Sequence, residues 1–171
     1  MDHVFVHPLS DVKAGAIGAG TRIWQFCVVL PGARIGRDCN LNAHVLVEND
    51  VLVGDRVTIK PGVQLWDGMT VEDNVFIGPN VTFTNDKYPR NRRPPSDFAR
   101  TVIRCGASIG ANATVLCGLE IGAGAMVGAG SVVTRNVPAG ELWVGNPARY
   151  RGPAPRAVDD TAESAAQGCP A

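Results

Sequence analysis

The chain contains no apolar run of the roughly 20 residues that a membrane-spanning helix requires. Its first residues, Met1-Asp2-His3-Val4, lack the charged and apolar regions of a secretion signal. A cytoplasmic protein without a membrane partner is the expectation. Charge of one sign is also missing: 16 Lys and Arg face 16 Asp and Glu. A neutral chain has no basic field for nucleic acid, so none is expected as a partner. Aromatics make up only 6% of the residues, and histidine occurs three times. The five cysteines include no Cys-x-x-Cys pair, so neither a disulfide framework nor a zinc knot is indicated. Apolar residues, at 45%, are still enough for one folded core of 171 residues.

A repeat with a period of six is present. Every sixth residue from Ile17 to Phe83 is large and apolar, and the series resumes as Ile103, Ile109, Val115, Ile121, Val127 and Val133. Eighteen apolar anchors in succession cannot come from a 45% apolar composition by chance. Four positions after each anchor lies a second, mostly small residue, such as Cys27, Ala33, Cys39, Val45 or Ala107. Even steps of 4 and 2 fit extended backbone, not a helix face. Glycine follows many anchors (Gly18, Gly36, Gly54, Gly78, Gly110, Gly122, Gly128), where the chain must turn. A short strand and a corner in every hexad close a triangular coil every third hexad, and stacked coils pair as parallel strands. With Phe5 and Asp11 counted in phase, six to seven coils are expected.

This pattern resembles the hexapeptide-repeat acyltransferases, over about residues 5 to 150. The resemblance implies an all-β fold, a left-handed parallel β-helix in residues 1–150 with one ejected loop at about 84–102. A tail follows at 151–171, with at most a short helix around 157–166. The gap between Phe83 and Ile103 is two positions longer than a whole coil. The intervening loop carries Lys87, Arg90, Arg92, Arg93 and Arg100 against Asp86 and Asp97, a positive balance suited to phosphates. Residues one coil apart stack, so Asn49, Asp67 and Asn85 form one polar column and Glu48, Trp66 and Thr84 another.

Longer strings narrow the resemblance. Ile23-Trp24-Gln25-Phe26, His44 with Glu48-Asn49-Asp50, Lys60-Pro61-Gly62 through Trp66-Asp67-Gly68, and Thr82-Phe83-Thr84-Asn85-Asp86-Lys87-Tyr88-Pro89-Arg90 look like the nucleotide-sugar 3-N-acetyltransferases. Asn91 departs from them, where Ser or Ala is expected. These enzymes acetylate dTDP-3-amino-3,6-dideoxyhexoses, or UDP-linked 3-amino uronic acids, for surface polysaccharide. The resemblance implies acetyl-CoA as co-substrate, no metal, and a homotrimer with its sites between subunits. Asn85 and Asp86 would hold the amino sugar. Glu48, Asn49, Trp66, Asp67 and Tyr88 would shape its site, and Lys87 and Arg90 would meet the diphosphate. Acetyl-CoA would lie against Gly110, Gly128, Ala129, Asn146, Pro147 and Arg149. In such enzymes the departing sulfur is held to be the final proton acceptor, so positioning and oxyanion stabilisation suffice.

One other reading stays open, and a further one is all but excluded by the histidine count. An O-acyltransferase must activate a hydroxyl, which would make His44 the general base. His44 falls three positions after Leu41, at a corner, and should point outward; His3 and His7 precede the full repeats. A zinc-dependent β-helix of the carbonic anhydrase kind needs three converging histidines, and only His44 lies inside the repeat.

Overall fold

A computed structural model describes residues 3–92 and 97–155. Short strands succeed one another with a corner between each pair, and every third strand belongs to the same face of a three-sided prism. The first face stacks eight parallel strands: Phe5–Val6, Arg22–Ile23, Asn40–Leu41, Thr58–Ile59, Phe76–Ile77, Ser108–Ile109, Met126–Val127 and Glu141–Val144. The solenoid therefore has eight layers, more than the six to seven expected. The second face begins at Asp11–Val12 and ends at Val132–Val133; the third runs from Ala16–Ile17 to Glu120–Ile121. At the top, strand Arg149–Pro153 turns back antiparallel to Glu141–Val144, so ordered structure continues past residue 150. Arg93 in the loop, the helix expected around 157–166 and Cys169 lie outside the described residues.

Every anchor from Ile23 to Val133 is buried, as are nearly all the small residues four positions on. The prism interior is thus a column of Ile, Val and Leu with small partners, which explains why so few aromatics are needed. Cys27 and Cys39 are free, buried thiols in this column, and burial pushes both thiols up from their ordinary pKa. Cys105, in contrast, is disulfide-bonded, which the odd count of cysteines did not indicate.

Two registers differ from expectation. In the first coil Phe5 pairs with Arg22 and Val6 with Ile23, and Asp11 pairs with Val28 and Val12 with Val29. The step there falls one short of the usual eighteen. Val6 and Val12 therefore occupy the anchor slot, and Phe5 and Asp11 face outward. A single missing residue flips side chains to the opposite face. Higher up, Met69 pairs with Thr101, Phe76 with Ser108 and Thr82 with Thr114. Those intervals exceed the ordinary step, seen between Thr58 and Phe76, by most of a further coil. The ejected loop is therefore a long insertion into one ordinary hexad, not a coil lengthened by two.

The edge where the third face turns into the first is sewn by ion pairs between layers. Arg37 reaches Asp55 at 3.3 Å, Arg56 reaches Asp73 at 3.4 Å, and Arg104 bridges Glu72 at 2.8 Å and Glu120 at 2.9 Å. Arg104 follows the inserted loop and ties the re-entering coil to both neighbours. Hydrogen bonds from Arg37 hold Asp55 below the usual carboxylate range, and Arg104 does the same for Glu120. A carboxylate with a depressed folded pKa stabilises the fold above its unfolded pKa, and the contribution disappears as pH falls through the folded value. Tm should stay level from neutral pH to about 5 and fall between about 5 and 3. Arg104→Met should flatten part of this acid limb in low-salt thermal melts; an unchanged limb would remove the bridge from the account.

Candidate active site

The corners, not the faces, carry the side chains with chemistry. Three positions after most anchors the backbone enters the left-handed region, at Phe26, Asp38, His44, Arg56, Asn74, Asn80 and Asn112, and at Gly20, Gly62 and Gly68. This single positive-φ residue turns the chain from one face to the next. All residues expected to hold the amino sugar lie on one edge, between the second and third faces. Those expected to hold acetyl-CoA lie on another, between the first and second.

On the first of these edges the column is joined to itself at its lower end. The Asn49 carboxamide accepts from the Gly32 N–H at 3.1 Å, Glu48 from the Asp67 N–H at 2.8 Å, and Asp67 from the Asp50 N–H at 2.7 Å. Glu48, Asn49 and Asp67 thus satisfy main-chain donors of adjacent coils. Trp66 has a different role. The ladder on the second face is interrupted between Gln64–Leu65 and Thr82–Phe83, and the Trp66 indole N–H donates to the Phe83 carbonyl at 2.8 Å. One coil below, the equivalent carbonyl of Leu65 takes a main-chain N–H from Glu48. Trp66 fixes the point from which the loop departs.

Asn85 and Asp86 come next. The Asn85 main-chain carbonyl accepts the Ala99 N–H, which closes the base of the loop. Among the described residues its side-chain amide has no hydrogen-bond partner. One Asp86 carboxylate oxygen accepts the Tyr88 N–H at 2.8 Å, leaving the other open. Lys87 lies over the Tyr88 ring, 5.7 Å from its centroid. Arg90 donates to the neighbouring Pro89 carbonyl and is exposed. Arg100 pairs with Asp50 at 3.1 Å and anchors the returning limb. At the root of the loop opens a cleft of about 510 Å³, with Thr84, Asp86 and Lys87 on one wall and Leu116, Cys117, Leu119 and Thr134 on the other. The first wall was legible in the sequence. The second was missed, because finding it needs the lengthened register that stacks Thr114 on Thr82; Thr84 accepts the Cys117 N–H at 3.0 Å.

On the other edge, Gly110 and Gly128 are small because the coil above rests on them. A Cβ on Gly110 would lie 2.5 Å from the Ala129 nitrogen, and one on Gly128 would lie 2.8 Å from Val144. Packing accounts for both glycines. Ala129, Asn146, Pro147 and Arg149 are exposed, and this upper stretch of small residues ends at the Arg149 cation. A thioester carrier with an extended apolar arm and phosphates fits such a strip. His44 lies low on the same edge, exposed, with its ring stacked on Phe26 at 5.1 Å. Among the described residues no carboxylate orients its imidazole. One chain does not bring His44 beside Asn85 and Asp86, because they occupy different edges two coils apart.

Comparison with known proteins follows this geometry. The profile of the bacterial transferase hexapeptide (six repeats) matches residues 15–49 and 100–135, and that of the hexapeptide repeat of succinyl-transferase matches residues 44–79. The chain is 54% identical over 148 residues to the dTDP-3-amino-3,6-dideoxy-α-D-galactopyranose 3-N-acetyltransferase of Aneurinibacillus thermoaerophilus, covering 86% of this chain and 77% of that one. A mutant perosamine N-acetyltransferase from Caulobacter crescentus, solved with CoA and GDP-perosamine, superimposes with a TM-score of 0.65 at 25% identity. That match covers 87% of this chain but only 56% of the perosamine enzyme. A hexapeptide-repeat acetyltransferase from Vibrio cholerae in complex with acetyl coenzyme A superimposes with a TM-score of 0.63 at 29% identity, covering 73% of this chain and 72% of that one.

Proposed function

The chain belongs to the nucleotide-sugar N-acetyltransferases of the hexapeptide-repeat family, and on that premise we propose that it acetylates the 3-amino group of a dTDP-linked 3-amino-3,6-dideoxyhexose. The similarity that supports this substrate covers most of the chain and includes the loop. The observation that carries the site is the half-engaged Asp86 carboxylate on the wall of the cleft, next in the chain to Asn85, whose side-chain amide is unengaged among the described residues.

Acetyl-CoA supplies an acyl group on a good leaving group. Asn85 and Asp86 receive the acceptor amine and aim its lone pair. The cleft walls exclude water, and Lys87 and Arg90 offer positive charge to the diphosphate. As the new C–N bond forms and the C–S bond breaks, the proton leaving nitrogen ends on the departing sulfur, so the chain need not provide a base. His44, without a partner among the described residues that would orient its ring, suits a binding role better than that of a base. Donor and acceptor groups lie on different edges of one prism, which supports a homotrimer with each site shared by two copies. Among the described residues no helix is long and apolar enough to cross a membrane; with acetyl-CoA as donor, we place the reaction in the cytoplasm.

The test is free-thiol release from acetyl-CoA with dTDP-3-amino-3,6-dideoxygalactose, its glucose epimer, a UDP-3-amino uronic acid and a hydroxylated sugar. Turnover should occur with one of the dTDP-amino sugars. Release only with the hydroxylated acceptor, and loss of it in His44→Ala, would replace this reading with O-acetyl transfer.

A further inference from the structure

The structure contains a second set of side chains that the acetyl-transfer chemistry does not use. Of the chain's ten Phe, Trp and Tyr residues, Trp24 and Phe26 stand together in the second coil, on the edge between the first and second faces. They are 38% and 50% exposed. The His44 ring stacks on Phe26, with centroids 5.1 Å apart and planes inclined by 24°. The neighbouring Trp24 is engaged elsewhere: its indole N–H donates to the Asn40 carboxamide at 2.7 Å and its ring packs on Phe5, with centroids 5.5 Å apart.

Two facts argue that the fold itself does not ask for the stacked Phe26 and His44 rings. They are outside the core. Phe26 and His44 also occupy the positive-φ corner slot, both at φ 62°. Higher on the same edge that slot holds Gly62, Asn80, Asn112 and Gly130, residues that adopt this conformation at low cost. A phenylalanine there is strained, and strain kept at an exposed position points to a task. Lys60 stands in the next corner above His44 and, among the described residues, forms no ion pair. Stacked flat rings with a cation beside them are the chemistry that binds a nucleobase and its phosphate.

We infer that Phe26 and His44 form a nucleobase platform, with Lys60 set to meet a phosphate of the same nucleotide. This rests on the reading of the chain as a nucleotide-sugar acetyltransferase. Two sources of a base exist in that reaction, the pyrimidine of the sugar nucleotide and the adenine of acetyl-CoA, and the experiment separates them.

Calorimetric titration of the intact protein with dTDP and UDP, and separately with CoA and 3′,5′-ADP, would be carried out on the wild type, Phe26→Gly and Phe26→Tyr. Phe26→Gly relieves the backbone, so its Tm should equal or exceed that of the wild type. Its affinity for one nucleotide class should nevertheless fall about tenfold or more, and Phe26→Tyr should restore it. Loss confined to dTDP and UDP assigns the platform to the sugar nucleotide. Loss confined to CoA and 3′,5′-ADP assigns it to adenine. Affinities within twofold for both classes would overturn the inference, as would weakening that appears only with a change in oligomer mass by light scattering. Wild-type turnover on the amino sugar is measured alongside. If it persists while Phe26→Gly binds normally, the acetyltransferase reading stands and the platform falls.

Discussion

Asn85→Ala should lower kcat/KM for the amino sugar about 10²-fold while leaving Tm unchanged within error. The two halves of this expectation come from one observation. The Asn85 side chain has no partner among the described residues, so removing it takes nothing from the fold, and surface changes of this kind usually stay within about 0.5 kcal/mol. A loss of turnover at constant stability can then only reflect a lost contact with the acceptor. The companion variant Asp86→Asn keeps an oxygen for the Tyr88 N–H and deletes the charge; it should also lose activity without melting earlier. His44→Ala supplies the contrast. A platform residue raises KM and leaves kcat nearly intact, whereas a general base loses kcat by about 10²-fold or more. Activity of Asn85→Ala within threefold of wild type would remove Asn85 from the site.

The second large effect concerns stability. Gly110→Val should destabilise the protein by about 3 kcal/mol, which is about 6–12 °C in Tm for a domain of this size. The new Cβ would meet the Ala129 nitrogen at 2.5 Å and its Cα at 2.8 Å. Those are backbone atoms of the next coil and cannot rotate away. The whole layer would have to rise, breaking ladder bonds such as the 2.8 Å contact from the Gly110 N–H to the Val127 carbonyl. A variant that melts like the wild type but binds CoA poorly would return Gly110 to the cofactor site, where the resemblance had put it.

The repeat was legible in the sequence because burial on a prism follows the chain at fixed intervals. Ile23, Leu41, Ile59 and Ile77 all face inward, and counting by sixes finds each of them. Local exceptions to that count were not legible. Phe5 is apolar and looks like an anchor, yet a coil one residue short puts Val6 in that place. The separation of Phe83 and Ile103 also suggested a stretched coil. Only the strand pairings reveal an intact hexad with the loop inserted into it. The lower step of the polar columns, Asn49 under Asp67 and Glu48 under Trp66, follows the coil-length step, but hydrogen-bonding direction was not legible. Sequence could not tell that Glu48, Asn49 and Asp67 are engaged by their neighbours while Asn85 is not. The resemblance, for its part, supplied residues whose size has a packing cause, as at Gly110 and Gly128.

A stack of near-identical coils carries no instruction about where to stop. Each layer presents unpaired main-chain donors and acceptors upward, and a further parallel coil, even one from another molecule, could add to it. The strand Arg149–Pro153 answers this on the first face by running in the opposite direction to the eight strands beneath it, with Tyr150 against Trp143 and Arg149 against Val144. A reversed strand with a proline at its end offers no template for the next copy of the repeat. The returning strand therefore closes the first face to a further parallel coil in register with those beneath it.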